Sequence, residues 1–139
     1  MPEDKRRVLL IGEQPDIEIF AMLRGEDYEV ASLESPRRAR SIFPLYKPHS
    51  IIVFLRYPKD IALLHECLAM AGSVPVVATI SLIAKPPLVK AVKEKAAAFF
   101  VLPVKPQTVR ETLRSLLLSR HEGRLTSAGQ ADRSADYSG

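Results

Sequence analysis

The chain is short of the residues that staple or anchor a protein. Among its 139 residues Cys67 is the one cysteine, so an intrachain disulfide and a cysteine-based zinc site are both excluded. Set in an apolar helical pattern, a lone thiol reads as a small packed side chain rather than a nucleophile. His49, His65 and His121 lie far apart without ligand spacing, so no metal is expected. No apolar run approaches the ~18 residues that a membrane-spanning helix takes, and no membrane insertion is expected. The opening Met1-Pro2-Glu3-Asp4-Lys5-Arg6-Arg7 lacks a signal-peptide pattern, since only a short apolar stretch follows its charges; the expectation is a cytoplasmic protein. No internal repeat is present. A large excess of one charge is missing too. The formal net charge of +4 permits acidic partners and is too small by itself to argue for nucleic-acid binding.

What is present is an ordinary globular balance, with 47% hydrophobic and 26% charged residues, and enough length for one domain with a real core. Five short apolar runs recur at regular intervals: Arg7–Ile11, Tyr28–Leu33, Ser50–Phe54, Val74–Ile80 and Ala98–Leu102. The unbroken Ser50-Ile51-Ile52-Val53-Phe54 suits a strand covered on both faces, as in a parallel sheet. Amphipathic segments alternate with these runs. One opens at Pro15 with Ile17, Phe20, Ala21 and Leu23 on its stripe and stops at Gly25. A second follows the Ser35-Pro36 cap to about Leu45, with Ala39, Ile42 and Phe43 inward and Arg37, Arg38 and Arg40 outward. Asp60 is expected to cap a third, with Ile61, Leu64, Cys67 and Leu68 at helical spacing and Gly72 at its end. Pro87 opens a fourth, with Leu88, Val89, Val92 and Ala96 inward, and Gln107–Arg120 forms a fifth around Val109, Leu113, Leu116 and Leu117. Strands alternating with helices in this way predict an α/β fold, a doubly wound five-stranded parallel sheet with five helices. Residues 1–120 form the domain. His121–Gly139 is small and polar, with little to bury, and reads as a disordered tail.

In such sheets the working edge lies at the carboxyl ends of the strands, so Phe54 and Arg56 mark the site. The order and spacing resemble the receiver domain of bacterial two-component response regulators, a flavodoxin-like fold, from about Lys5 to Arg120. In that family the first strand ends in an acidic pair that helps hold magnesium; here Gly12 and Glu13 stand at the pair. The third strand ends on the phosphoacceptor Asp and runs into a loop with a proline. Pro48 through Pro58 fits without a gap, Phe54 falls on the Asp, and the glycine usual after the proline is Ala62. The fourth strand ends in Ser or Thr; counting from Pro75 puts Ile80 there, between Thr79 and Ser81. The fifth ends in Lys-Pro with a cis bond. Phe99-Phe100-Val101-Leu102-Pro103 fits, with Leu102 on the Lys, Phe99 on the aromatic switch position and Pro103 as the cis-proline candidate. The resemblance therefore implies a degenerate receiver.

The chemistry agrees. Phosphoryl transfer to a carboxylate needs that carboxylate, a divalent cation and positive groups on the phosphoryl oxygens. This edge offers Glu13 alone, which also reads simply as an anion at a helix N-terminus. Phe54 reads as an apolar plug, and Thr79 as a strand residue bonded locally. No cofactor and no enzymatic activity are expected. The leading expectation is a phosphorylation-independent module that binds another signalling or scaffold protein. The alternative is a divergent phosphoacceptor that uses Glu13 with Ser81 or Thr79. The arginine cluster at Arg37–Arg40 reads as a solvated helix face, and nucleic acid is not an expected partner. In receivers the fourth helix, fifth strand and fifth helix carry output, so the resemblance places the partner surface at Lys90, Lys93, Phe99, Arg110, Arg114 and Leu118, with Leu82 and Ile83 on the preceding loop. A homodimer through that face is the alternative assembly. Leu82 and Ile83 have a second expectation, as a lid folded over Phe54.

Overall fold

The computed structural model describes residues 5–12, 23 and 28–122, with side chains as far as Leu117. Glu13, the helix expected from Pro15, its end at Gly25 and the tail beyond Glu122 lie outside the described residues, as do the side chains of Leu118 and His121.

Five strands form one sheet: β1 (Arg6–Ile11), β2 (Tyr28–Leu33), β3 (Ser50–Phe54), β4 (Val76–Ser81) and β5 (Ala98–Leu102). Their order is β2-β1-β3-β4-β5 and every pair is parallel. Four α-helices lie among the described residues: α1 (Pro36–Tyr46), α2 (Ile61–Ala71), α3 (Pro86–Lys95) and α4 (Pro106–Glu122). The remaining one of the five expected helices is the segment outside the described residues. No helix among the described residues is long and apolar enough to cross a membrane.

Period-2 alternation along the strands divides the core into two layers. On one face Leu10, Ile52, Phe54, Val77 and Phe100 pack with Val109, Leu113, Leu116 and Leu117 of α4, joined by Leu23. On the other face Leu9, Ile11, Ile51, Val53, Ala78 and Ile80 pack with Ala39 of α1, Leu64 and Cys67 of α2, and Leu88 and Val92 of α3. Helices thus cover both faces, and β3 is buried along its whole length, as its unbroken apolar run requires. Cys67 is fully buried, and that burial, with the Glu66 carboxylate adding to it, pushes its thiol up to about 12. The nucleophilic thiolate is thereby suppressed.

Local chemistry sets the ends of the elements. The Ser35 hydroxyl accepts from the amides of Arg37 at 3.1 Å and Arg38 at 3.4 Å, and Pro36 takes the first helical position of α1. At the other end Lys47 adopts φ 50° and donates its amide to Phe43. His49 Nδ1 accepts the Arg7 amide at 2.9 Å, which fastens the start of β1 and gives this histidine a structural role. Asp60 departs from expectation. Its side chain makes no bond into α2; it turns back and accepts the amides of Arg56 at 2.7 Å and Tyr57 at 2.9 Å. The carboxylate therefore holds the loop after β3, where Pro58–Asp60 forms a 3-10 turn. The strand expected from Val74 begins at Val76, because the Val74 amide is bonded to Ala71 and Pro75 has none to offer. It runs on to Ser81, which pairs with Leu102. α4 runs two residues past the expected boundary at Arg120.

Candidate functional site

The carboxyl ends of the strands bring three singled-out positions, Gly12, Phe54 and Thr79, into one row with Phe100. Ile11 pairs with Val53, so Gly12 comes level with Phe54; Phe54 pairs with Thr79, and Thr79 with Phe100. These residues share the α4 side of the sheet. Phe54 is 6% exposed there. A β-carbon built on Gly12 falls 2.7 Å from Phe54 Cδ1 and 3.0 Å from Phe54 Cβ. The ring thus occupies the space that any side chain at position 12 would enter. Gly12 has no positive φ, so here the glycine is required by room rather than by backbone shape. Its amide donates to the Leu33 carbonyl at 3.0 Å, holding the end of β1 to β2.

Thr79 is 1% exposed and its hydroxyl has no hydrogen-bond partner among the described residues. The expected local bond is absent: the strand register sets the side chain between Phe54 and Phe100, which offer no acceptor. A buried hydroxyl left in this way costs about 1–3 kcal/mol. Thr79→Val keeps the shape and removes the stranded group, so we expect the urea midpoint to rise, by up to ~1 kcal/mol of stability. A loss of stability would mean that the hydroxyl is bonded.

Ile80 turns to the opposite face and is buried against α2 and α3. Alternation instead brings Ser81 to the Phe54 side, one step further out. Its hydroxyl accepts the Ile83 amide at 3.0 Å. The hydroxyl at the end of β4 is therefore that of Ser81. Leu102, its partner in β5, is half-buried and carries no charge. The Leu102–Pro103 bond is cis.

The donor set among the described residues does not fit magnesium. That ion wants hard oxygen ligands in near-octahedral order, whereas Gly12 and Phe54 supply no side-chain oxygen and the carboxylate of Asp60 is engaged by two amides. No group of three or more His, Cys, Asp or Glu gathers among the described residues. Phosphoryl transfer onto position 54 has no acceptor atom.

Two surfaces surround this plugged row. On the outer side of β5, a groove of about 210 Å³ is lined by Phe99, Phe100, Val101, Val104, Thr108 and Thr112. Phe99 was expected on this surface; Val104, Thr108 and Thr112 were not, since Val104 lies in the loop before α4 and the two threonines look like ordinary polar helix positions. Lys90 and Lys93 of α3 and Arg110 and Arg114 of α4 are exposed on the flanking helices. At the end of the sheet Leu82 and Ile83 are 74% and 88% exposed. They do not fold over Phe54, and Phe54 is buried without them.

No protein-family model matches the chain, and no curated protein sequence does. Solved structures match its fold. A signal receiver domain of a two-component response regulator from Bacteroides fragilis superposes with a TM-score of 0.69 at 20% identity, covering 81% of this chain and 97% of that one. NtrX from Brucella abortus superposes with a TM-score of 0.70 at 21% identity, covering 89% of this chain and 29% of that longer one. The pseudo-receiver domain of the CikA protein superposes with a TM-score of 0.59 at 24% identity, covering 80% and 96%. The fold is that of receiver domains.

Proposed function

We propose that the chain is a receiver-fold module of bacterial signalling that works without phosphorylation, by binding another signalling or scaffold protein. The observation that carries this reading is the Gly12–Phe54 contact. A ring fills the phosphoacceptor position, and the neighbouring strand has given up its side chain to make room. A site so filled is stable with neither metal nor phosphate. The test is incubation with acetyl phosphate and magnesium, followed by intact mass. The expected result is an unchanged mass. An adduct on Ser81 would instead favour the divergent phosphoacceptor, for which the half-buried hydroxyl at the end of β4 is the supporting observation.

The proposed protein-binding face is α3, β5 and α4. Apolar groove residues sit there among exposed cations, an arrangement that suits an acidic partner with an apolar anchor. Among the described side chains of these helices the exposed acids are Glu94 and Glu111, and the second already accepts the Gln107 side-chain amide at 3.0 Å. Reversing Lys90, Lys93 and Arg114 together to Glu is expected to weaken capture of the physiological partner about tenfold or more, mainly through slower association. Unchanged capture would move the interface to the arginine face of α1. The same cationic face disfavours a symmetric homodimer, because like charges would meet across its axis.

A further inference from the structure

Leu82 and Ile83 stand apart from the protein-binding face, on the end of the sheet, and the loops around them share a composition. β3 and β4 are neighbours, and α3 packs against the Pro58–Asp60 turn, so the loops after these two strands lie side by side. Together they expose Tyr57, Leu82 and Ile83, at 55%, 74% and 88%. Arg56, Lys59 and Lys85 are exposed beside them, and Lys105 follows on the loop after β5. Lys59 Nζ lies 5.6 Å from the Tyr57 ring centre. Beside the three lysines, Lys59, Lys85 and Lys105, these loops hold one acid, Asp60, whose carboxylate is taken by two backbone amides.

We infer that this end of the domain docks on an anionic membrane surface, with Leu82 and Ile83 as the inserting tip. The charge fits anionic headgroups, where each cation near the surface adds a comparable increment of attraction. A tyrosine with its ring partly exposed suits the headgroup zone. The backbone of the tip decides between lipid and a protein segment. Entering an apolar medium strands any amide that lacks a partner. Here the Ile83 amide is bonded to the Ser81 hydroxyl at 3.0 Å and the Ala84 amide to the Ser81 carbonyl at 3.1 Å. Pro86 and Pro87 follow and have no amide hydrogen. The Ile83 and Ala84 amides can leave water already satisfied, and they are closed to a peptide partner. The two aliphatics also project from a turn rather than line a groove, which suits a medium that flows around them. Run length, the basis for expecting no membrane insertion, concerns a spanning helix and does not bear on a loop.

The test is co-sedimentation of the full chain with vesicles. One set is phosphatidylcholine alone; the other is equal parts phosphatidylcholine and phosphatidylglycerol. Partition onto the mixed vesicles alone is expected, weakening as salt rises. Leu82→Ser with Ile83→Ser should weaken it about tenfold or more with an unchanged melting temperature, and Lys59→Glu with Lys85→Glu should do the same. The chain has no tryptophan, so Ile83→Trp supplies a single reporter whose emission should shift to the blue on the mixed vesicles. Equal partition onto both vesicle types, or full binding by the serine variant, overturns the proposal. So does an emission shift with a glutamate–tyrosine copolymer but not with vesicles, which would assign the tip to an acidic protein segment. All these readouts are independent of acetyl phosphate and of the α3–β5–α4 face.

Discussion

Phe54→Asp is expected to destabilise the fold by about 3 kcal/mol or more and to leave the chain unphosphorylated. The ring packs in the layer formed by Leu10, Ile52, Val77, Phe100 and α4, so its removal opens a cavity at the end of the central strand. The new carboxylate would then stand among apolar side chains, beside a threonine hydroxyl and with no cation in reach at Leu102. Against a typical total of about 5–15 kcal/mol, a loss of that size is large. Urea unfolding measures it. The same preparation, treated with acetyl phosphate and magnesium, should keep its mass, because Gly12 still supplies no oxygen to a metal. Should the variant melt at the wild-type temperature, the ring is not packed as described. Should it gain a phosphoryl group, the missing carboxylate was the only defect of the site.

The sheet was legible because its signals are local. Five apolar runs separated by helical stripes specify five buried parallel strands, and the prolines and Ser35 mark helix starts directly. The strand ends were legible too, since Phe54 and Leu102 close the apolar runs that form β3 and β5, while their comparison with a phosphoacceptor and a lysine rests on the family resemblance. What escaped depends on contacts between strands. Counting from Pro75 reached Ile80, but a slip of one residue turns a side chain to the other face, and the pairing of Ser81 with Leu102 shows which residue lies on the Phe54 side. Thr79 reads like any strand threonine until the register sets it between two phenyl rings. Asp60 carries a helix-cap signal, and only the path of the loop shows its carboxylate turned backwards. An aliphatic pair in a loop reads equally well as lid or as partner contact; its exposure is a property of the folded surface. The reason for Gly12 was likewise invisible, because the atoms that demand it belong to β3.

Gly12→Ala is accordingly expected to cost more than a glycine replacement on a strand end normally would, about 1–3 kcal/mol, as overpacking does. The added methyl would stand 2.7 Å from Phe54 Cδ1 and 3.1 Å from Cγ, and the ring cannot retreat without disturbing Phe100 and α4, which pack in the same layer. In the Phe54→Ala background those two atoms are gone and the one close contact left is the β-carbon of residue 54 at 3.0 Å. There Gly12→Ala should cost less than it does beside the ring, even though Phe54→Ala is itself destabilising. A double-mutant cycle in urea should therefore return a coupling of about 1 kcal/mol or more, with the two changes less harmful together than apart. Additivity within ~0.5 kcal/mol would separate the two positions and remove the physical link between Gly12 and Phe54. The expected coupling means that Gly12 and Phe54 constrain each other: position 12 has no room for a side chain while the ring is present, and removing the ring alone opens a cavity in the layer it shares with Phe100 and α4.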